Sequence, residues 1–554
     1  MGPPPVTDFD RRRFLSGVAG AALVSGCRWK PDPTKPPLPP GDLGGPDFGH
    51  GHRLRSGGIQ TPSHEREVGV AIVGAGVAGL GCGWHLARNH RDDFEIFELE
   101  TVPGGNSRSG RNRTGPYPVG AHYLPIPSAD LVPVRQLLSE LDVLQGDPAA
   151  ARPTYHESHV CAAPQERIFA GGRWHEGLIP DSRATSAERE AIDSFHLRME
   201  RLKSARGVDG RLAFAFPMRE SSRDPVWTDL DKISFKAWME REGFLGQELS
   251  FHADYACRDD YGTKWDETSA WAGIHYFAAR RGKAANAEDD AYLTRPEGNS
   301  WLIDGLRAPV LDKICTGKLV FRMETESARP FLDTLDVATG TVERIHAKRI
   351  VWASPIFELP HVWRDMPDAA LKASEGFSHA PWVVANLELS RRPLELPGAE
   401  PAWDNVLRDS DALGYVVATH QTPRVIDGPT TFTWYKPCCQ QEPVLERSRL
   451  LGETRESIAE QVLSELETVH PDIRECCTRL DVWRWGHAMI KPTVGFVWHS
   501  AREWFENQNG QILFAHSDLS GMSLFEEALC HGVRAADRIL LDKIRQDRNL
   551  TNDR

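Results

Sequence analysis

Chemistry is first possible in this chain at Gly74, Gly76 and Gly79, because a backbone without side chains can bring its N–H groups up to a phosphate. They stand in the run Gly74-Ala75-Gly76-Val77-Ala78-Gly79, between a β-branched apolar stretch at 68–73 and a helix-like segment at 80–88. Strand, glycines and helix in that order are what a dinucleotide-binding turn requires. Gly74 permits the tight turn, Gly76 the approach of a pyrophosphate, and Gly79 the contact of helix with strand. A second strand-like run, 94–97, ends at Glu98, where an acid would receive the ribose hydroxyls of an adenosine and disfavour a 2′-phosphate. Gly104-Gly105 follow, with Arg108 close behind, a second bare stretch that a plain nicotinamide site does not need.

Two other clusters carry reactive residue types. Residues 257–263, Cys-Arg-Asp-Asp-Tyr-Gly-Thr, are followed by Trp271 and His275-Tyr276. Acids and aromatics so placed suit either the caging of a cation or an Arg–Asp pair bracing a turn. Residues 294–301, Thr-Arg-Pro-Glu-Gly-Asn-Ser-Trp, form the other cluster. No metal site is expected. The adjacent pairs Cys438-Cys439 and Cys476-Cys477 lack the C-x-x-C spacing of a zinc site, and free thiols are the simpler reading.

From the glycine turn to Arg108 the chain resembles the FAD-dependent amine oxidase superfamily, which includes monoamine and polyamine oxidases, protoporphyrinogen oxidases and carotenoid desaturases. The C-terminal end is similar too: 512–518 (Ile-Leu-Phe-Ala-His-Ser-Asp), 523–528 and a helix through Ala535-Ala536 look like the group's second flavin-binding motif. This chain has His516-Ser517 where Gly-acid is common, so Asp518 would supply the acid with a shift of one residue. Residues 118–123 resemble a flavin-lining element without its acid, and 349–355 the strand and turn closing the cofactor domain. The resemblance implies FAD held by residues 74–79, Glu98, Gly104, Gly105, Arg108, Ser517, Asp518, Leu524 and Phe525. It also implies hydride transfer from a small molecule, an amine foremost, to flavin N5, with His122 and His487 as pocket residues that orient substrate or accept a proton. Many amine oxidases of the group place a Lys near N5, on a strand that here corresponds to 382–388 and has none. The acceptor therefore stays open between oxygen and a quinone-like molecule. A desaturase or dehydrogenase of an apolar substrate, or a flavin-carrying electron-transfer or assembly subunit, are the alternatives.

The elements that must position these residues form an α/β architecture: a Rossmann-like FAD-binding domain (66–135, 296–358, 481–545) interleaved with a mixed α+β substrate domain (136–295, 359–480), and a tail at 546–554. With 554 residues, 40% hydrophobic and 26% charged, the chain has a soluble-globular composition. Its formal net charge of -13 argues against binding a nucleic-acid backbone. Residues 1–27 look like a twin-arginine export signal, Arg11-Arg12-Arg13-Phe14-Leu15 before a short apolar run, ending in the lipobox-like Val24-Ser-Gly-Cys27. Lipidation at Cys27 would anchor an exported, periplasmic or extracytoplasmic protein to a membrane. Residues 28–65, rich in Pro and Gly, are expected to be an unordered tether.

Overall fold

The computed structural model describes residues 36–56, 61–180, 182–326, 329–422 and 428–552, so the leader and Cys27 lie outside the described residues. Its main strands are β1 (Leu43–Gly44), β2 (His64–Val73), β3 (Phe94–Phe97), β4 (Glu166–Ala170), β5 (Arg173–Glu176), β6 (Ile314–Cys315), β7 (Lys318–Glu324) and β8 (Phe331–Asp336). They continue with β9 (Val342–Trp352), β10 (His379–Leu389), β11 (Asp404–Leu407), β12 (Gly414–Val417), β13 (Thr430–Pro437), β14 (Cys477–Ile490) and β15 (Ile512–Phe514). The helices that matter for the site are α1 (Val77–Arg88), α2 (Gln247–Tyr261), α3 (Ala270–Ala278), α4 (Arg455–Leu466) and α5 (Phe525–Asn552).

Two sheets divide these strands. The first runs β6-β3-β2-β9-β8-β7, with β15 also pairing β9. β2 lies parallel to both β3 and β9, and residues 68–73 are buried throughout, as a strand covered on both faces must be. The second sheet runs β1-β14-β10-β13-β12-β11-β4-β5. In β10 all eleven residues are buried, yet the two faces differ. Val383, Ala385 and Leu387 pack with Ile458, Val462 and Leu463 of α4, whereas Trp382 and Val384 pack with Tyr435 and Trp485 on the other face. The register pairs Trp382 with Trp485 and Val384 with Tyr435, so one face of three strands presents an aromatic wall.

Two sequence expectations need correction. Residues 481–490, placed with the cofactor domain, continue β14 in the second sheet. Residues 36–56 are not a loose tether. β1 pairs in parallel with β14 at Val482 and Trp483, Arg455 donates to the Pro39 carbonyl, and two short helices, Phe48–Gly51 and Arg53–Ser56, follow. Their order comes from contacts with distant strands, which composition does not encode.

α1 is gripped on both sides by backbone. A Cβ on Gly79 would lie 1.9 Å from the Gly74 carbonyl oxygen, and one on Gly532 of α5 would lie 2.2 Å from that of Ala78. Gly532→Leu is therefore expected to destabilise the cofactor-free protein by about 3 kcal/mol or more. Gly452→Ala, with nothing within 4 Å of the new Cβ, should cost less than about 0.5 kcal/mol. Urea unfolding of both variants checks this.

Candidate functional site

A cavity of about 610 Å³ is walled by both sheets. Its first part is bare backbone. Gly74 (φ 100°) and Gly105 (φ 54°) adopt the left-handed conformations that favour glycine, and a Cβ on Gly76 would meet nothing within 4 Å. Gly76 caps α1 without a side-chain hydrogen bond, so the first amides of α1 stay available to an anion. The two glycine turns are tied together by Gly104 N–H donating to the Ala75 carbonyl at 2.8 Å. Glu98 lines the same wall, each carboxylate oxygen accepting one backbone N–H, from Ala75 at 2.7 Å and from Glu100 at 2.9 Å. One lone pair on each oxygen remains for a diol. The space at Gly76, the uncapped helix and this acid together fit a dinucleotide.

Of the expected cofactor residues, Gly74, Gly76, Val77, Ala78, Glu98, Gly105, Ser517, Leu524 and Phe525 line the cavity. Ala75, Gly79 and Gly104 stand behind it as backbone supports. Arg108 and Asp518 do not face it, which corrects two expectations. Arg108 donates to Glu100 (3.0 Å) and to the Gly105 carbonyl (3.1 Å), with its guanidinium over Trp483 and Trp485, so its charge is already satisfied. Asp518 is fully buried, accepting from Ile356 N–H and lying 2.9 Å from His379 Nε2. Burial would raise its pKa, but His516 and His379 override that and hold it well below the ordinary carboxylate range. His516 takes the cavity-facing place instead. Burial alone would depress its pKa, but the Asp518 charge raises it.

From the second glycine turn the wall continues into a different chemistry. Ala121 N–H donates to the Asn106 carbonyl, and two residues later Tyr123 Oη lies 3.0 Å from Asp259 and 3.1 Å from Asp260, both on α2. Arg280 pairs with Asp260 through two contacts of 2.7 and 2.8 Å. Asp259 has no such cation, and burial beside Asp260 and Asp404 pushes its pKa up. Behind it Asp404 receives hydrogen bonds from Tyr435 (2.9 Å) and Tyr255 (3.2 Å), and Glu166 is buried nearby, burial pushing each acid up to about 7. Of the acid-and-aromatic cluster read from the sequence, Asp259 and Asp260 reach the cavity. Arg258 pairs with Asp254 instead, and Trp271 and His275 are core residues, His275 being bound to the Ala215 carbonyl.

His122 and His487 both line the cavity. His122 sits among Tyr435, Trp403 and Tyr123, with ring centroids 5.1, 5.7 and 5.3 Å away, and burial pulls its pKa down to about 4. His487 stacks on Phe357 at 4.1 Å, and burial together with the nearby Arg447 charge pulls it down to about 3. Both are neutral near pH 7. β10 offers His379, Trp382 and Val384 to the cavity and no Lys, while Lys318 in the wall is paired with Asp336 at 2.8 Å. Among the described residues no group of three His, Cys, Asp or Glu side chains is disposed to hold a metal ion. Sequence reading passed over Asn106, which ties the second glycine turn to β14 by donating to the Ala488 carbonyl at 2.6 Å, and over Arg280. Asn106 adjoins Gly105 and was the more accessible of the two. Arg280 stands twenty positions from its partner Asp260 and gave no local signal.

Residues 72–141 match the family described as an NAD(P)-binding Rossmann-like domain. The chain is 24% identical over 215 residues to Oxidoreductase PigB of Serratia sp. (strain ATCC 39006), covering 36% of this chain and 31% of that protein. It is 35% identical over 92 residues to the peroxisomal N(1)-acetyl-spermine/spermidine oxidase of Bos taurus, covering 16% of this chain and 18% of that protein. The chain thus spans less than a third of the length of either relative. The solved structure of wild-type putrescine oxidase bound to putrescine superposes with a TM-score of 0.62 at 15% identity, covering 86% of this chain and all of the other.

The raised acids give the folded state a pH signature. A carboxyl kept protonated by burial holds a proton that the unfolded chain has released, so its contribution to stability is present below its unfolded pKa near 3.8 and lost as pH rises through about 7. Asp404→Asn removes that dependence. Relative to wild type the variant is expected to gain stability from pH 4.5 to pH 7.5, as measured by urea unfolding at the two pH values. The protein itself has the two-domain α/β fold seen in putrescine oxidase, a Rossmann-like sheet facing a mixed sheet across the cavity.

Proposed function

We propose that the chain is an FAD-dependent oxidoreductase that oxidises a small cationic amine, exported by the twin-arginine route and anchored through Cys27. One observation carries the chemical part: a single cavity joins a dinucleotide cradle to an acid and aromatic pocket that is one cation short. The names of the relatives, an acetylpolyamine oxidase and a putrescine oxidase, support the amine as substrate class.

Bound at the cradle, FAD supplies hydride acceptance at N5, the difficult part of the chemistry. The chain's own residues do the rest. Tyr123 has one hydroxyl proton for two carboxyl groups, and Arg280 neutralises only Asp260. A substrate ammonium supplies the missing charge beside Asp259. Burial keeps Asp259 protonated in the empty pocket; an arriving R–NH3⁺ displaces that proton to solvent, and the carboxylate so formed, with its raised affinity for a proton, takes one back from R–NH3⁺ and leaves the neutral amine that can lose hydride. His122 and His487, kept neutral, shape the pocket without repelling the incoming cation. Trp382, Tyr435 and Trp485 provide the apolar wall. The absence of a cavity Lys from β10 favours a quinone-like acceptor over oxygen.

Purified protein is expected to be yellow and to release FAD on denaturation. Anaerobic stopped-flow mixing with primary amines and diamines should bleach the flavin, and Asp259→Asn should raise the half-saturating amine concentration at least tenfold. Reoxidation should be faster with a soluble quinone than with oxygen, and chelators should have no effect. Flavin that no amine reduces would overturn the substrate assignment.

Export is read on its own experiment. Replacing Arg11 and Arg12 by Lys should trap flavin-loaded protein in the cytoplasm, and Cys27→Ala should release it from the membrane fraction still folded. Full-length wild-type protein found in the cytosol would refute export.

A further inference from the structure

The segment that follows the leader is part of the cavity wall. Gly44, Asp47, Phe48, His52, Leu54 and Arg55 line it together with the glycine cradle and Glu98. The segment is fastened at both ends of its span. On one side β1 joins the edge of β14, and no side chain would fit there: a Cβ on Gly41 would lie 1.8 Å from the Leu480 carbonyl oxygen, and one on Gly44 2.4 Å from the Trp483 ring. On the other side Asp47 N–H donates to Glu100 Oε1 at 2.7 Å, two residues beyond the acid that faces the ribose position, and Leu54 packs against the cluster that holds Leu319. One short segment therefore bridges the two sheets across the cavity.

The two fastenings are coupled through Arg108. Glu100 receives Asp47 on one oxygen and Arg108 on the other. The Arg108 guanidinium lies 5.3 Å from the Trp483 ring centroid, and that ring is the surface against which Gly44 packs. The contacts Asp47, Glu100, Arg108, Trp483 and Gly44 form a closed circuit. This accounts for an arginine that stands beside the second glycine turn yet turns away from the cavity. Residues 39–44 are held independently by Leu480, Val482, Arg455, Arg479 and Asp481, but from Asp47 on the segment has little of its own, two four-residue helices, so the docked position of that part depends on this circuit.

We infer that residues 40–56 are a clasp over the adenosine half of the dinucleotide, that the cofactor enters and leaves only when the clasp lifts, and that Arg108 is the positioning residue that latches it. The inference rests on FAD being the resident cofactor. It adds that cofactor retention is set by a segment N-terminal to the glycine cradle that touches the second sheet only at its edge.

The test uses the full-length protein. Asp47→Pro removes the N–H that reaches Glu100, and with it the carboxylate that caps the next short helix through His50, while keeping a backbone φ of -70°, which proline adopts. Arg108→Gln breaks the latch from the other side. Flavin release is followed by the rise in free-flavin fluorescence on dilution, and lifting of the clasp by the rate of tryptic cleavage after the exposed Arg53 and Arg55 in cofactor-free protein. Both variants are expected to release flavin at least tenfold faster than wild type and to be cleaved faster, with unchanged far-ultraviolet circular dichroism. Added FAD should slow the cleavage of wild-type protein. Faster cleavage with wild-type flavin release would show a segment that lifts without gating and would overturn the proposal, as would no change in either rate. Wild-type protein without flavin would remove the underlying cofactor assignment and the gate with it, and flavin content measured first tells that failure from a failure of the clasp alone.

Discussion

The site depends on backbone meeting backbone around α1. The Gly79 position lies against the Gly74 carbonyl, the Gly532 position against that of Ala78, and Gly74 itself against Ala353 at the end of β9. At these positions no side chain separates the helix from the turn before it or from α5 behind it. That closeness brings the uncapped first turn of α1 to the cavity floor, with the carbonyl of Ala75 free to receive Gly104 and so to bring in the second glycine turn. From there Asn106 and Ala121 extend the same wall to Tyr123 and the carboxyl pair. The cradle and the Tyr123 edge of the pocket are thus successive parts of one stretch of main chain, to which α2 adds the carboxyl pair.

Electrostatically the cavity is uneven. Asp259, Asp260, Asp404 and Glu166 are gathered on one side under four or more tyrosine rings, and Arg280 is the cation placed among them. Removing carboxylates from water is costly, and proteins meet that cost by pairing them or by leaving them protonated. Here both solutions stand side by side, Asp260 paired and Asp259 not. A fold shared by enzymes of different substrates says nothing about which of them this one takes. Burial depresses His487, and the basic groups of the opposite wall, Arg447 and Arg55, add to that, which keeps the ring uncharged.

How far the sequence could be read follows from where each signal lies. The turn at 74–79, the strand before it and Glu98 are contiguous, and their geometry is dictated by local needs for bare backbone. β9 with its closing turn and β15 leading to α5 were legible for the same reason. Asp518 was read as a displaced flavin acid because the spacing allowed it. The structure buries it between two histidines, an arrangement that depends on His379 from 139 positions away. Arg108 carried the right charge beside the right glycines, but its direction was decided by two tryptophans of β14. Residues 36–56 depart furthest from what their composition suggests. Proline and glycine weaken any local preference, so the order of that segment comes wholly from the surfaces it covers.

The topology of the first sheet has a further consequence, for the order in which the protein can be made. β9 pairs with β2 on one side and with β15 on the other, so a single strand gathers residues near 70, near 350 and near 513. α5, which presses on α1, comes later still. A chain emerging from the ribosome therefore carries the glycines of residues 74–105 long before β15 and α5, which floor and back the cradle, are available. Contacts so distant in sequence make folding slow, and they leave the apolar faces of β2 and β9 open meanwhile. A cradle assembled from such distant parts is complete only once β15 and α5 have packed into place.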